Sequence, residues 1–183
     1  GFTGTDTHGS IFDHIYINSL GLSSNGIELW SSMDCVFNDN FIIINGLYGI
    51  IISNNGSNSV FTGNHISFPE NEGIYCQTCP NSLFSENVIE TGGRGIYTTQ
   101  NDITFSNNEI NSNSTGIEGY ICNDCVVSNN SIYNINDDAG AGNGIYVTYS
   151  DRLEVTDNTV VARDYGIYVP YGTGNQVITG NHI

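Results

Sequence analysis

An all-β solenoid is the fold class that this sequence predicts, and two recurring landmarks are the reason. The dipeptide Gly-Ile and the pattern Asn-x-(Ile/Val) alternate along the chain, and each recurs about every 22 residues. A fixed period of this length, with short strand patterns and no helical periodicity, is typical of stacked β-coils. The sequence therefore predicts a single domain over residues 1–183 that is built from repeated coils.

Both landmarks fall at fixed points of each coil. The Gly-Ile steps start at Gly26, Gly49, Gly73, Gly95, Gly116, Gly144 and Gly166, and the asparagines are Asn40, Asn64, Asn87, Asn108, Asn130, Asn158 and Asn181. We call the second set the coil asparagines. One strand is expected to start at Gly-Ile, a second to precede the coil asparagine, and a third to follow it, with polar turn residues between them.

Stacking the coils predicts four ladders of equivalent residues. One contains the isoleucines of the Gly-Ile steps, and another contains the apolar residues two positions after each coil asparagine. A third contains Phe37, Phe61, Phe84, Phe105, Val127, Val155 and Ile178. The coil asparagines form the fourth, and we expect them to adopt the left-handed turn conformation while their amides bond to neighbouring coils. The glycines before isoleucine are expected to have positive φ or a close backbone contact.

Composition excludes some functions. The chain has three basic residues, all arginine, against 19 carboxylates, and its net charge is −16. This charge repels phosphate backbones, so we expect no nucleic-acid partner. No apolar run of about 18 residues is present, so no membrane span is expected. An acidic, asparagine-rich surface without lysine suits an extracellular or cell-surface protein.

Four of the five cysteines form two C-x₂-C pairs, Cys76 with Cys79 and Cys122 with Cys125. Such pairs are a common zinc signature. The repeat register, however, places Cys79 and Cys122 two coils apart, or about 10 Å at the usual strand spacing, which is too far for one tetrahedral ion. We expect buried small residues or local disulfides, with a metal site or intermolecular bridges as alternatives.

The repeated unit Gly-Ile-(Tyr)-x-x…Asn-x-Ile resembles the repeats of the pectate-lyase-like superfamily, in particular those of carbohydrate-binding and sugar-hydrolase domains. The resemblance covers about residues 13–183. It implies a single-stranded right-handed parallel β-helix of about seven to eight coils. Polysaccharide lyases, hydrolases, uronan epimerases, phage tailspikes, adhesins and structural stalks share this fold, so the fold alone does not fix the function.

The outward positions of the Gly-Ile strand carry the candidate substrate-binding residues. These are Glu28, Trp30, Tyr75, Tyr120, Tyr146 and Tyr168. Aromatic rings stack on the apolar faces of sugars while carboxylates bond their hydroxyls, so an extended strip of both suits a polysaccharide. The alternative is that the tyrosines are good strand formers that stack for stability alone.

Four residues on the same face are the catalytic candidates: Glu72, Arg94, Tyr97 and Glu118. Arg94 could neutralise a uronate carboxylate while Tyr97 moves the C5 proton, as in β-elimination or epimerisation. Glu72 with Glu118, or Glu118 with Asp124, could instead be the two carboxylates of a glycosidase. The competing interpretation is a surface salt bridge between Arg94 and Glu72.

Two segments interrupt the repeat. The loop 134–143 is longer than its counterparts and carries Asp137 and Asp138 beside glycines, which is compatible with a calcium site. The first segment contains Asp6, His8, Asp13 and His14, which could ligate a metal, although an early coil is the simpler expectation. His65 and His182 are expected to be solvated surface residues.

The chain stops in mid-coil at Ile183, so we expect either a segment of a longer protein or end-to-end or lateral self-association. The leading function is an extracellular module that acts on or binds a polysaccharide, with lyase, epimerase or glycosidase chemistry if it is an enzyme. The alternative is a non-catalytic stalk, adhesin or spike segment.

Overall fold

The computed structural model describes residues 1–19, 21, 24–134 and 142–183, and these residues form three parallel β-sheets. Sheet A consists of β1 (Phe2–Thr5), β4 (Ile27–Trp30), β7 (Tyr48–Ser53), β10 (Glu72–Cys76), β13 (Ile96–Thr99), β16 (Ile117–Tyr120), β19 (Ile145–Thr148) and β22 (Ile167–Tyr168). Sheet B consists of β2 (Ile11–Asp13), β5 (Val36–Asn38), β8 (Val60–Thr62), β11 (Leu83–Ser85), β14 (Thr104–Ser106), β17 (Val126–Ser128), β20 (Glu154–Thr156) and β23 (Val177–Thr179). Sheet C consists of β3 (Tyr16–Ser19), β6 (Phe41–Ile44), β9 (His65–Ser67), β12 (Val88–Thr91), β15 (Glu109–Ser112), β18 (Ser131–Asn134) and β21 (Thr159–Ala162).

Each coil contributes one strand to each sheet, and neighbouring strands come from successive coils. Among the described residues, seven coils reach all three sheets and an eighth reaches sheets A and B. Equivalent repeat positions pair across coils, as Ile74 does with Ile50 and Ile96. The predicted all-β solenoid of about seven to eight coils is confirmed. The first segment is an early coil, as expected, because β1 and β2 pair with β4 and β5.

The predicted apolar ladders fill the interior. Five phenylalanine rings of sheet B stack with centroids 4.6 to 5.3 Å apart, and these are Phe12, Phe37, Phe61, Phe84 and Phe105. Val127 and Val155 continue the column and are fully buried. In the eighth coil the equivalent Ile178 is 48% exposed, since no further coil covers it among the described residues. Burial of these columns against each other is the main apolar contribution to stability.

The coil asparagines form a continuous polar ladder at the corner between sheets B and C. Each Nδ2 donates to Oδ1 of the asparagine in the next coil, at 2.8 to 2.9 Å. The same Oδ1 accepts the backbone N–H of the preceding asparagine at 2.9 to 3.2 Å. Each Nδ2 also donates to a backbone carbonyl of the preceding coil at 2.9 to 3.0 Å. Every interior carboxamide is therefore fully satisfied, as burial requires.

The prediction that the coil asparagines are left-handed is wrong. The left-handed residue is the one immediately before each of them: Asp39, Gly63, Glu86, Asn107, Asn129, Asp157 and Gly180, with φ of 50° to 68°. The sharp turn is completed one position earlier because the carboxamide must point inward along the stack. A left-handed residue therefore precedes every coil asparagine, and most of these residues are not glycine.

A close contact, and not a positive φ, explains why glycine recurs at the Gly-Ile steps. A Cβ added to Gly95 would collide with the carbonyl oxygen of Gly116 and with a methyl group of Ile110. The other glycines of the series meet equivalent atoms, except that Gly166 meets only the side chain of Ile183. Of the two expected explanations, the close backbone contact is therefore correct and the positive φ is not. Any larger residue would push neighbouring coils apart.

The cysteines form two local disulfides, Cys76–Cys79 and Cys122–Cys125, each at a corner after a sheet A strand. All four are buried, which agrees with the expected local pairing. Cys35 is buried and unpaired, and burial raises the pKa of its thiol. His182 is exposed, as expected, whereas His65 is half-buried and its ring stacks on Phe41 with centroids 4.7 Å apart.

Within the described part of the chain, the structure contains no helix with the length and apolar character needed to cross a membrane.

The asparagine ladder predicts a large effect for Asn87→Asp. The carboxylate keeps the shape but has no N–H donors, so the buried acceptors Phe61 O and Asn108 Oδ1 each lose the hydrogen bond from Nδ2, and the new charge is buried. We expect the free energy of unfolding to fall by about 3 kcal/mol or more. Urea denaturation followed by circular dichroism measures this change. Asn181→Asp, in the partly exposed eighth coil, is the control and should cost about 1 kcal/mol. Equal losses for the two variants would contradict a continuous interior ladder.

Candidate functional site

The outer face of sheet A carries the predicted candidates in the predicted register. One column runs through Glu28, Ile51, Tyr75, Tyr97, Glu118, Tyr146 and Tyr168, each paired with the next across neighbouring strands. A second column contains Trp30, Ser53, Thr99, Tyr120 and Thr148. Parallel pairing without register shifts aligns these side chains along the axis, and strand alternation turns them away from the core.

Arg94 lies at the centre of the four catalytic candidates. Its guanidinium donates to Glu72 Oε1 from Nε at 2.8 Å and from Nη2, and to Glu118 Oε1 from Nη1 at 3.1 Å. The guanidinium carbon also lies 4.0 Å from the centroid of the Tyr97 ring, in a cation–π arrangement. The structure therefore brings Glu72, Arg94, Tyr97 and Glu118 together, with one positive charge between two negative ones.

Glu72 is the one candidate of this group whose expected exposure is wrong. It is only 6% exposed, although the sequence places it on the outer face. Its carboxylate is covered by the Arg94 side chain from the next coil, which is itself 28% exposed. The expected surface pair is therefore a largely buried ion pair, and such pairs are costly to break because one charge is left without a partner.

The phenols of Tyr75 and Tyr97 are held in the protonated form. Burial raises the pKa of Tyr97; Arg94 lowers it, and the carboxylates of Glu118 and Glu72 raise it further. Burial also raises the pKa of Tyr75, to which neighbouring tyrosines contribute. Since a free tyrosine titrates near pH 10, both are neutral hydrogen-bond donors at neutral pH. This state suits binding of a polar ligand better than proton abstraction.

A cleft of about 420 Å³ opens beside this group, toward the later coils. Its lining includes Arg94 and Glu118 on one side and three tyrosines on the other, Tyr146, Tyr165 and Tyr168. The rings of Tyr165 and Tyr168 stack with centroids 4.8 Å apart, and those of Tyr146 and Tyr168 are 5.6 Å apart. We call this feature the tyrosine cleft. It offers an apolar wall and a charged wall at once.

Two further polar groups line the tyrosine cleft. Asn143 is 6% exposed, and its Oδ1 is buried with no hydrogen-bond partner among the described residues. Asp164 accepts bonds from Arg163 and from the backbone N–H of Gly142, and these bonds lower the pKa of its carboxyl. A buried acceptor without a partner is costly, so a ligand donor at Asn143 would relieve that cost.

Trp30 and Glu28 are separated from the tyrosine cleft. Trp30 Nε1 donates to Glu28 Oε1 at 3.2 Å, and the pair borders its own depression near β1. In the third coil the aligned positions are Ile51 and Ser53, so the aromatic row is interrupted there. The row resumes with Tyr75, whose ring is 5.2 Å from that of Tyr97.

Sequence analysis missed an aromatic ridge beside the predicted columns. Tyr149 and Tyr171 stack with centroids 5.1 Å apart, and Tyr149 also meets Tyr120 edge-on at 5.3 Å. Both tyrosines follow a Gly-Ile step by five residues, at a corner where every coil has a left-handed residue. The five-residue spacing was visible in the repeats and would have identified them. Tyr165 of the cleft occupies a different position of the repeat, immediately before Gly166.

The proposed calcium ligands Asp137 and Asp138 lie outside the described residues. Among the described residues, one group has the composition of a metal site: Asp13, His14 and Asp39 on the outside of sheet B. His14 Nδ1 is 2.8 Å from Asp13 Oδ1, and Asn38 donates to both aspartates. All three side chains are exposed, so they also fit ordinary solvated surface groups.

Comparison with protein families agrees with the fold. The family described as "Right handed beta helix region" matches residues 51–183, which is well over half of the chain. The chain therefore belongs to the right-handed β-helix family. A search of curated proteins finds no match to it.

The ion pair at the centre of the site predicts a stability loss for Glu72→Gln. Gln keeps the shape but leaves Arg94 with a single carboxylate partner. We therefore expect the free energy of unfolding to fall by about 2 to 3 kcal/mol. Glu118→Gln is the matched control and should lower the free energy of unfolding by about 1 kcal/mol. Glu118 is more exposed than Glu72 and accepts one hydrogen bond from Arg94 where Glu72 accepts two. Thermal denaturation compares the two. If Glu72→Gln left stability unchanged, Glu72 would be a free carboxylate rather than a structural partner of Arg94.

Proposed function

We propose that this β-helix is an extracellular polysaccharide-binding module whose tyrosine cleft holds a stretch of a neutral glycan. The observation that carries the proposal is the cleft itself, with stacked tyrosines on one wall and acceptors and donors on the other. Apolar walls with a few oriented polar groups are the usual composition of small-ligand sites. Sugar rings match this composition because each has an apolar face and a rim of hydroxyls.

The stacking of sheet A strands along the axis of the coils supports an extended ligand. Aromatic side chains recur on sheet A from coil to coil, about 4.8 Å apart along the axis, from Tyr75 to Tyr168. Several of them, Tyr120, Tyr165 and Tyr168 among them, are 40% exposed or more, and this exposed aromatic area is not needed for the core. Adjacent exposed aromatic area is a mark of binding surfaces.

The charge of the cleft favours a neutral glycan over the uronan that the sequence suggested. Arg94, the cation of the cleft, is already paired with Glu72 and Glu118. Asp164 adds another carboxylate at the rim. A uronate would therefore meet a net negative site on a protein of net charge −16.

The two disulfides support the extracellular location, since such bonds persist mainly in oxidising compartments. Lyase, epimerase or glycosidase chemistry at Glu72, Arg94, Tyr97 and Glu118 remains a prediction. The geometry favours binding over turnover, because both carboxylates are engaged by Arg94 and Tyr97 is kept protonated. A stalk, adhesin or spike segment is the alternative in which this face has no glycan partner.

Tyr168→Ala tests the cleft. We expect affinity for a bound neutral oligosaccharide to fall about fivefold to tenfold, since one stacking platform is removed. Isothermal titration calorimetry with hexasaccharides of glucose, xylose and mannose provides the measurement. Tyr133→Ala is the control, because Tyr133 is similarly exposed but lies on sheet C. Equal effects of both variants, or no binding of any hexasaccharide, would reject the cleft as a glycan site.

Charge selectivity is a separate expectation. Hexamers of galacturonate or mannuronate should bind at least about tenfold more weakly than neutral hexamers at low salt. Added salt should reduce this difference in affinity, because it screens the repulsion between the site and the uronate. Mass spectrometry of the same mixtures tests for turnover. Tighter uronate binding, or the appearance of unsaturated or hydrated fragments, would favour an enzyme and overturn the neutral binding module.

A further inference from the structure

The floor of the tyrosine cleft is formed by residues that directly precede a Gly-Ile step. Thr115 and Asn143 occupy this position in successive coils, and both line the cleft. Their backbones are stacked, because Gly116, the residue after Thr115, donates its N–H to Asn143 O at 3.0 Å. The two side chains therefore lie next to each other along the axis. Arg94 has the same position in the preceding coil and Tyr165 in the following coil, so the floor continues into both walls.

The floor is recessed below the aromatic rim. Thr115 and Asn143 are only 4% and 6% exposed. Tyr165 and Tyr168, which line the same cleft, are 56% and 40% exposed. A sugar ring that stacks on these tyrosines therefore stays at the level of the rim. Only a substituent that projects beyond the ring hydroxyls reaches the side chains of the floor.

The Asn143 carboxamide is the group of the floor that calls for a ligand. Its Oδ1 is buried and has no hydrogen-bond partner among the described residues. Its Nδ2 is not bonded to another residue in the described part of the chain either. A buried carboxamide that serves the fold alone looks different: Asn130 of the ladder both donates to and accepts from its neighbours. The unpaired amide is costly unless a ligand supplies a donor and an acceptor.

An acetamido group supplies both of the partners that this carboxamide lacks. Its N–H is a donor for Oδ1, and its carbonyl oxygen is an acceptor for Nδ2. Either pairing satisfies Asn143, because rotation of the carboxamide about its last bond exchanges the two atoms. The methyl group of the substituent is apolar and suits a cleft with tyrosine walls. A carboxylate offers acceptors only and an ammonium group offers donors only, so each matches half of the amide.

We propose that the tyrosine cleft selects glycans of N-acetylhexosamine and that Asn143 determines this specificity. The sugar ring stacks on the rim tyrosines, and its acetamido group enters the floor and bonds to the Asn143 carboxamide. The inference rests on the function proposed above, because it uses the same cleft. It adds the substrate class, which the aromatic wall and the charge of the cleft leave open. N-acetylhexosamines are uncharged, so they also meet the requirement for a neutral glycan.

Calorimetry with the hexamers of N-acetylglucosamine and of glucose tests this inference, since the two ligands differ only in the acetamido group. We expect the first to bind about tenfold more tightly, as one further hydrogen bond to a buried group and a buried methyl allow. Asn143→Ala should lower the affinity for the N-acetylglucosamine hexamer about tenfold and that for the glucose hexamer less than twofold. The preference between the two ligands should therefore disappear.

Asn25→Ala is the matched control. Asn25 also directly precedes a Gly-Ile step and also has a buried Oδ1 without a partner, but it does not line the tyrosine cleft. Its replacement should change the affinity for either hexamer less than twofold. Circular dichroism verifies that the coils of both variants are intact. The comparison of the two hexamers on the unaltered protein decides the substrate class whether or not a variant folds.

The outcomes separate this inference from the proposed function. Equal affinity for the two hexamers, or tighter binding of glucose, overturns the choice of N-acetylhexosamine; the cleft remains a glycan site if Tyr168→Ala still weakens binding. A preference that persists in Asn143→Ala, or equal losses in Asn143→Ala and Asn25→Ala, overturns the role of Asn143. Absence of binding of both hexamers overturns the inference and the proposed function together.

Discussion

The hydrogen-bonded column of coil asparagines is the interaction on which the rest of this structure depends. Each interior carboxamide accepts two N–H groups and donates two, so it joins its own coil to the coils on both sides. No other position of the repeat carries a polar side chain that is both buried and linked in this way through seven described coils. Because a shift of one residue would leave these buried groups unpaired, the ladder fixes the register of all three sheets.

Fixed register has a direct consequence for the outer surface. Since equivalent residues pair strand by strand, any residue type repeated in the sequence becomes a straight column on one face. The core needs only the inward columns of isoleucine and phenylalanine, so the outward columns of sheets A and C are free to vary. The tyrosine cleft arises where these outward positions depart from the repeat.

Periodic features were therefore predictable from the sequence, and local departures were not. The Phe37–Phe105 stack, the asparagine ladder and the columns of sheet A follow from spacing alone. The burial of Glu72 does not, because it depends on how the Arg94 side chain folds over it from the next coil. The exposure of the Phe68 ring was likewise not predictable from the sequence. The sequence Phe68-Pro-Glu looks like an ordinary turn, and only the backbone shows that the ring faces solvent beside Glu90.

Hydrogen–deuterium exchange with and without a bound neutral oligosaccharide tests the central claim, that a rigid ladder supports a local glycan site. The account predicts slow exchange in the strands of the interior coils without ligand, because their amides lie in sheets closed by the ladder. Added ligand should slow exchange only around the tyrosine cleft, in the strands from Ile96–Thr99 to Ile167–Tyr168. Fast exchange in the interior strands, or protection spread evenly over all coils or centred on another sheet, would contradict it.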